Sequence, residues 1–317
     1  MKVLVRVVAL LAAAFAATAQ AQNLSIATGG TGGVYYPLGG GMAAVLSKYV
    51  DGMQATAEVT GGSVANLQLI GTAKPYIALT MSDATLDAYK GEDKFKGKPV
   101  PVRTLVILYP NRMHVVTLDG TSIRRIADLK GKRVSTGSGG SATEVMAFRV
   151  IEAAGLSWDK DMRRELLGVA ESASALKDHK IDAFFWVGGL PTAAVSDLAF
   201  SPGVKIKMID IAHLVPAMVK KNGNVYIKDV IKKDVYKGME ADNQAATVTN
   251  LLAVHKDMNE ELAYKIVKAV FEHRDDLIRV HKEAENIKLE NQKTENSSIP
   301  WHPAAIRYFA EKGIKLK

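Results

Sequence analysis

The 317-residue chain has no cysteine. Disulfides, cysteine-ligated metals, thiol catalysis and a lipidated N-terminal cysteine are therefore excluded. The absence is compatible with an oxidising compartment. Familiar catalytic signatures are missing as well. A phosphate-binding loop needs G-x-x-x-x-G-K-[ST], but here the glycines of residues 29–33 run into Val34-Tyr35-Tyr36. A dinucleotide fingerprint needs glycine where Tyr35 stands. There is no G-x-S-x-G elbow, and the histidines show neither H-E-x-x-H nor H-x-H spacing. These gaps argue against an enzyme and leave no metal or cofactor to expect. Beyond residue 21 no run of some 18 apolar residues occurs, so the mature chain is expected to be soluble. The lysines are scattered, and no nucleic-acid-binding pattern accompanies them, so no nucleic-acid partner is expected.

What is present begins with a leader. Lys2 and Arg6 supply positive charge, residues 7–17 a short apolar core, and Ala19-Gln20-Ala21 a cleavage site. The expected product is a secreted, soluble chain starting at Gln22. Losing Lys2 and Arg6 lowers the formal charge from +8 to +6, a mild excess that attracts small anions. The remaining chain of about 295 residues exceeds one ordinary core and implies two lobes. An apolar fraction of 48% can fill them.

Strand and helix patterns alternate. Strands are expected at 24–27, 54–59, 77–80 and 105–108, with helices at 38–50, 63–71 and 82–90. Residues 91–101 read as a loop. A second alternating unit follows, with strands at 133–136, 165–167, 183–186 and 205–209 and helices at 141–154, 172–180 and 190–198. This order predicts parallel sheets covered by helices. Two β-prone runs, 105–118 (interrupted at Pro110-Asn111-Arg112) and 248–255, are expected to cross between the lobes as a hinge. Lobe one is then 22–110 plus 248–317, and lobe two 111–247. Residues 259–282 read as one amphipathic helix, 283–298 as an exposed polar stretch and 304–312 as a last helix.

The polar strand–helix junctions carry the candidate site, because open α/β sheets bind ligands at the carboxyl ends of their strands. The first junction, from Thr28 to Pro37, is glycine-rich and leads into a helix whose early proline suits its first turn. Exposed N–H groups at such a start hold a carboxylate or phosphate. Its candidates are Gly30, Thr31, Gly32, Gly33, Val34 and Tyr35, with Tyr35 facing the cleft and Tyr36 packed inside. The next two junctions offer Ser63, Asn66 and Ser82. Lobe two offers Gly137, Ser138, Ser141, Ala142 and Thr143, then Trp186, Gly189 and Pro191. Ser141 with Glu144 also fits a capping box, and Trp186 equally fits core packing. Both pairs of readings stay open.

Three stretches in order carry a resemblance. Residues 28–37, Val59-Thr60-Gly61-Gly62-Ser63, and Asp182 through Thr192 are similar to the TAXI family, the periplasmic solute-binding proteins of TRAP transporters. The likeness runs from about residue 24 to the C-terminus. It implies a two-lobed α/β receptor, periplasmic binding protein-like of type II, that captures a small carboxylate and delivers it to TRAP membrane permease subunits, as a monomer. L-glutamate, glutamine or a C4–C5 dicarboxylate such as 2-oxoglutarate is implied. The chain departs from the family's pattern at Ala65, where glutamate is common, at Gly139, usually proline, and at Ala142, usually glycine. Rival readings are a nucleotide- or phosphate-using enzyme at the same loops, and a surface antigen with the receptor fold.

Overall fold

The computed structural model describes residues 22–72 and 76–317. The expected leader and its cleavage site lie outside them. One mixed ten-stranded sheet organises the rest. Strands β1 (Gln22–Ala27), β2 (Met53–Glu58) and β3 (Tyr76–Met81) run parallel and alternate with helices α1 (Tyr35–Tyr49), α2 (Ser63–Ile70) and α3 (Ser82–Lys90). From Ile77 onward β3 is buried throughout. That fits a strand covered on both faces, where apolar residues need not alternate.

Two long strands tie the halves together. β4 (Val102–Leu118) and β10 (Asn243–His255) lie antiparallel along most of their length. β10 pairs β3 through residues 250–254 and β9 (Ile227–Ile231) through residues 243–247. β4 pairs β7 (Ala183–Gly188) and β8 (Ile206–Met208) with its second half. β5 (Arg133–Ser135) and β6 (Arg163–Glu165) extend the sheet in parallel beyond β7. The expected parallel pairings are present, but they are parts of one mixed sheet. Nor does Pro110 interrupt β4. It faces Thr249 beside a register shift, a place where a missing N–H is tolerated.

The second half carries α4 (Ala142–Ala153), α5 (Val169–Lys177), α6 (Ala193–Phe200) and α7 (Val215–Asn222). The expected strand at 165–167 sits two residues earlier, which frees Leu166 and Leu167 as a loop. The chain then returns to the first half. The single helix expected over 259–282 is two, α8 (Glu260–Glu272) and α9 (Arg274–Val280), parted at His273. The His273 ring stacks on Tyr49 of α1 at 3.4 Å between centroids. Residues 283–298 are not simply exposed. They form short 3-10 turns in which Glu283 and Gln292 are buried. Gln292 accepts from the Ile107 N–H at 2.8 Å and donates to its carbonyl at 3.0 Å, standing in for a neighbouring strand. α10 (Pro303–Glu311) closes the chain, and one apolar core joins it, α8, α1 and β1.

Candidate functional site

Four helices start at one cavity of about 320 Å³. The residues that precede them, Val34, Gly62, Ser141 and Gly168, all line it. Val34, Gly62 and Gly168 make no side-chain cap, so their helices leave first-turn N–H groups without side-chain partners. Such groups, with the partial positive charge of a helix start, favour an anion. Ser141 does cap: its Oγ accepts from the Glu144 N–H at 3.1 Å. It still faces the cavity, so capping and lining are not alternatives there. Among the described residues the lining holds no lysine or arginine, and Glu171 at its exposed edge is its one carboxylate.

Of the residues expected from sequence, Gly30, Gly33, Val34 and Tyr35 line the cavity from the first loop. Ser63 lines it from α2, and Ser138, Ser141, Ala142 and Thr143 from the start of α4. Trp186 and Gly189 line it from the end of β7. Trp186 does two things at once. Its ring abuts Gly33, where an added Cβ would lie 2.8 Å from Cη2, so only glycine permits this approach. Its Nε1 donates to Thr192 Oγ1 at 2.9 Å.

Thr31, Gly32, Asn66, Ser82, Gly137 and Pro191 do not line the cavity. Thr31 is exposed. Gly32 meets the second half: an added Cβ would lie 3.0 Å from Ala170 Cβ and 3.1 Å from Ala194 Cβ. The Asn66 amide instead ties the strand ends together, donating to the carbonyls of Ala27, Thr28 and Leu79. The Ser82 carbonyl accepts from Ser298 Oγ at 2.8 Å. Gly137, at φ +100°, makes room for Thr143. The Pro191 carbonyl faces the His281 ring at 3.2 Å. Tyr36 is exposed and not packed inside. Asp83 is buried away from the cavity and accepts from Tyr226 at 3.0 Å.

Sequence reading missed Tyr109 and Asn111 of β4, Met81, and the loop 166–168 before α5, all of which line the cavity. The available signal was the polar break at residues 110–112 in an apolar run. Burial pushes the Tyr35 hydroxyl above its ordinary pKa, and Tyr109 well above, so both stay protonated donors. Behind Trp186, His114 is buried and its pKa is lowered to about 4. The neutral ring spans the Arg112 carbonyl at 2.8 Å and the Tyr236 hydroxyl at 3.0 Å. Tyr236 in turn accepts from the Thr192 N–H at 2.9 Å. This relay sets Thr192, which holds Trp186 and donates to the Gly189 carbonyl at 2.8 Å.

The two halves meet around the cavity. Ser138 Oγ donates to the Gly61 carbonyl at 3.0 Å, and the Ala65 N–H to the Gly140 carbonyl at 3.1 Å. Leu190 N–H donates to Glu283 Oε1 at 2.6 Å. Two α/β halves on a mixed sheet, spanned by two antiparallel strands with the cavity between them, define a two-lobed periplasmic binding protein fold of type II. The chain belongs to the NMT1-like family, which it matches over residues 26–313. It is similar to a solved periplasmic transporter at 14% identity, covering 83% of this chain and 87% of that one, with a TM-score of 0.56. It is also similar to a binding protein component of an ABC phosphonate transporter from Pseudomonas aeruginosa. That match has 11% identity, 82% and 78% coverage and a TM-score of 0.54. At such identities the likeness establishes the fold.

Proposed function

We propose that this protein is a periplasmic solute receptor that captures a small carboxylate and delivers it to a TRAP membrane permease. The observation that carries the reading is the convergence of four helix starts on one cavity. Its volume of about 320 Å³ suits a molecule the size of glutamate, glutamine or 2-oxoglutarate. Gly30, Gly33, Val34, Tyr35 and Ser63 hold the ligand from lobe one. Ser138, Ser141, Ala142, Thr143, Trp186 and Gly189 hold it from lobe two. Lobe one comprises residues 22–110 and 248–317, and lobe two 111–247. Both boundaries fall inside β4 and β10, which act as the hinge. The role is capture and not chemistry, in keeping with relatives described as transport and binding proteins. The named relative belongs to an ABC transporter, so the TRAP partner rests on the three ordered sequence stretches.

The test is thermal melting against organic acids and amino acids. A ligand at 100 times Kd stabilises the fold by about 2.7 kcal/mol, a shift that melting resolves. Absence of a shift with every carboxylate would sink the reading.

A further inference from the structure

The cavity floor holds polar atoms that the protein itself does not satisfy. Tyr109 and Asn111 come from β4 and Asn250 from β10, and each is at most 2% exposed. The Tyr35 hydroxyl donates to Asn250 Oδ1, and Asn111 Nδ2 donates to the same oxygen at 2.7 Å. As the two amides stand, Asn250 Oδ1 is the shared acceptor and Asn111 presents its Nδ2 to it, which leaves Asn111 Oδ1 over. That oxygen has no partner in the protein, nor does the Tyr109 hydroxyl. Both residues line the cavity. Buried polar atoms without partners cost stability, so their persistence in a cavity wall points to a partner that arrives from outside.

The chemistry of the pair is specific. Tyr109 offers an O–H donor and Asn111 a carbonyl acceptor. A primary amide matches both, with its oxygen taking the Tyr109 proton and its NH₂ donating to Asn111 Oδ1. A hydroxyl matches in part. A carboxylate does not match, because its oxygens only accept and one would face Asn111 Oδ1. Among the described residues, no lysine or arginine lines the cavity to neutralise a second charge. We infer that Tyr109 and Asn111 determine specificity, and that they select a ligand with one carboxylate and one uncharged donor–acceptor group, foremost an amide. The inference rests on the proposed capture of a carboxylate and narrows it against dicarboxylates.

The test is titration calorimetry with two matched triplets. One is glutaramate, glutarate and valerate; the other is glutamine, glutamate and norvaline. The amide-ended member of at least one triplet is expected to bind about tenfold or more tighter than both its dicarboxylate and its methyl-ended partner, the size of one buried hydrogen bond left unmade. Tyr109→Phe removes only the hydroxyl, and should cut that preference severalfold while the ligand-free melting temperature stays level or rises. A purely structural hydroxyl would instead lower the melting temperature and leave the ligand preference unchanged. A dicarboxylate or methyl-ended ligand that binds as tightly as the amide would overturn the inference while leaving carboxylate capture intact. Absence of binding by all six ligands, together with no melting shift across the wider acid screen, would overturn both.

Discussion

Gly32 shows how one residue changes meaning between sequence and structure. As part of a glycine-rich loop it reads as a place where backbone meets ligand. In the fold it meets Ala170, Ala194 and Val169 of the other lobe, and its carbonyl accepts from the Ala194 N–H at 3.3 Å. Gly32→Val therefore wedges the lobes apart instead of pushing on a ligand. Folding of the open form should survive. Affinity is expected to fall at least tenfold in calorimetry, with the ligand-free melting temperature little changed. A variant that binds normally would show that the lobes tolerate the wedge.

Asp87 gives a second residue-scale prediction. Burial, aided by Asp83 and Asp93, outweighs the Arg149 guanidinium 2.6 Å away and raises its pKa to about 6. Tyr226 completes the cluster through its bonds to Asp83 and Arg149. The folded value lies above the ordinary carboxylate value, so folding takes up a proton between roughly pH 4 and 6. The contribution of this group is full below about pH 4 and is lost as pH rises through 6. Asp87→Asn carries no such titration. The melting-temperature difference, wild type minus variant, should therefore grow as pH falls from 7 to 5. A flat difference would place Asp87 at an ordinary pKa.

Among the elements, the segment 283–298 carries more stability than its polarity implies. Replacing Gln292 with alanine leaves the buried N–H and C=O of Ile107 unpaired. The expected cost is about 2–4 kcal/mol in urea unfolding, since each orphaned backbone group costs on the order of 1–3 kcal/mol. A loss under about 0.5 kcal/mol would mean that water replaces the amide.

Elements whose pattern depends on near neighbours were legible: β1, β3, α2 and α3 lie within a residue or two of expectation. Elements set by distant partners were not. The helical period runs on through His273, and the partner stacked on its ring, Tyr49, is remote in sequence. Glu283 and Gln292 look solvated because the backbones they serve, at Leu190 and Ile107, are far away along the chain. The same holds for the cavity. Glycine loops and helix starts announce themselves locally. Tyr109 and Asn111 belong to a crossing strand, and nothing nearby marks which of its faces meets the cleft.

At the scale of the molecule, the described contacts at Gly61, Gly32 and Leu190 bring the lobes together over the cavity. A solute entering between them needs those contacts to open. We expect the radius of gyration from solution scattering to fall on adding a bound carboxylate, through rotation about β4 and β10. An unchanged radius, with binding shown by calorimetry, would mean that the lobes stay closed throughout.

The paired strands β4 and β10 also govern how the chain can be made. β10 lies between β3 and β4, yet it emerges from the ribosome more than a hundred residues after either. Until then both strands present open edges, and the apolar core shared by β1, α8 and α10 has only its early part. Long-range pairing of this kind makes folding slow, and an incomplete sheet is prone to wrong partners. A nascent chain lacking its last seventy residues cannot finish its first lobe, so synthesis and the completion of folding are separated in time.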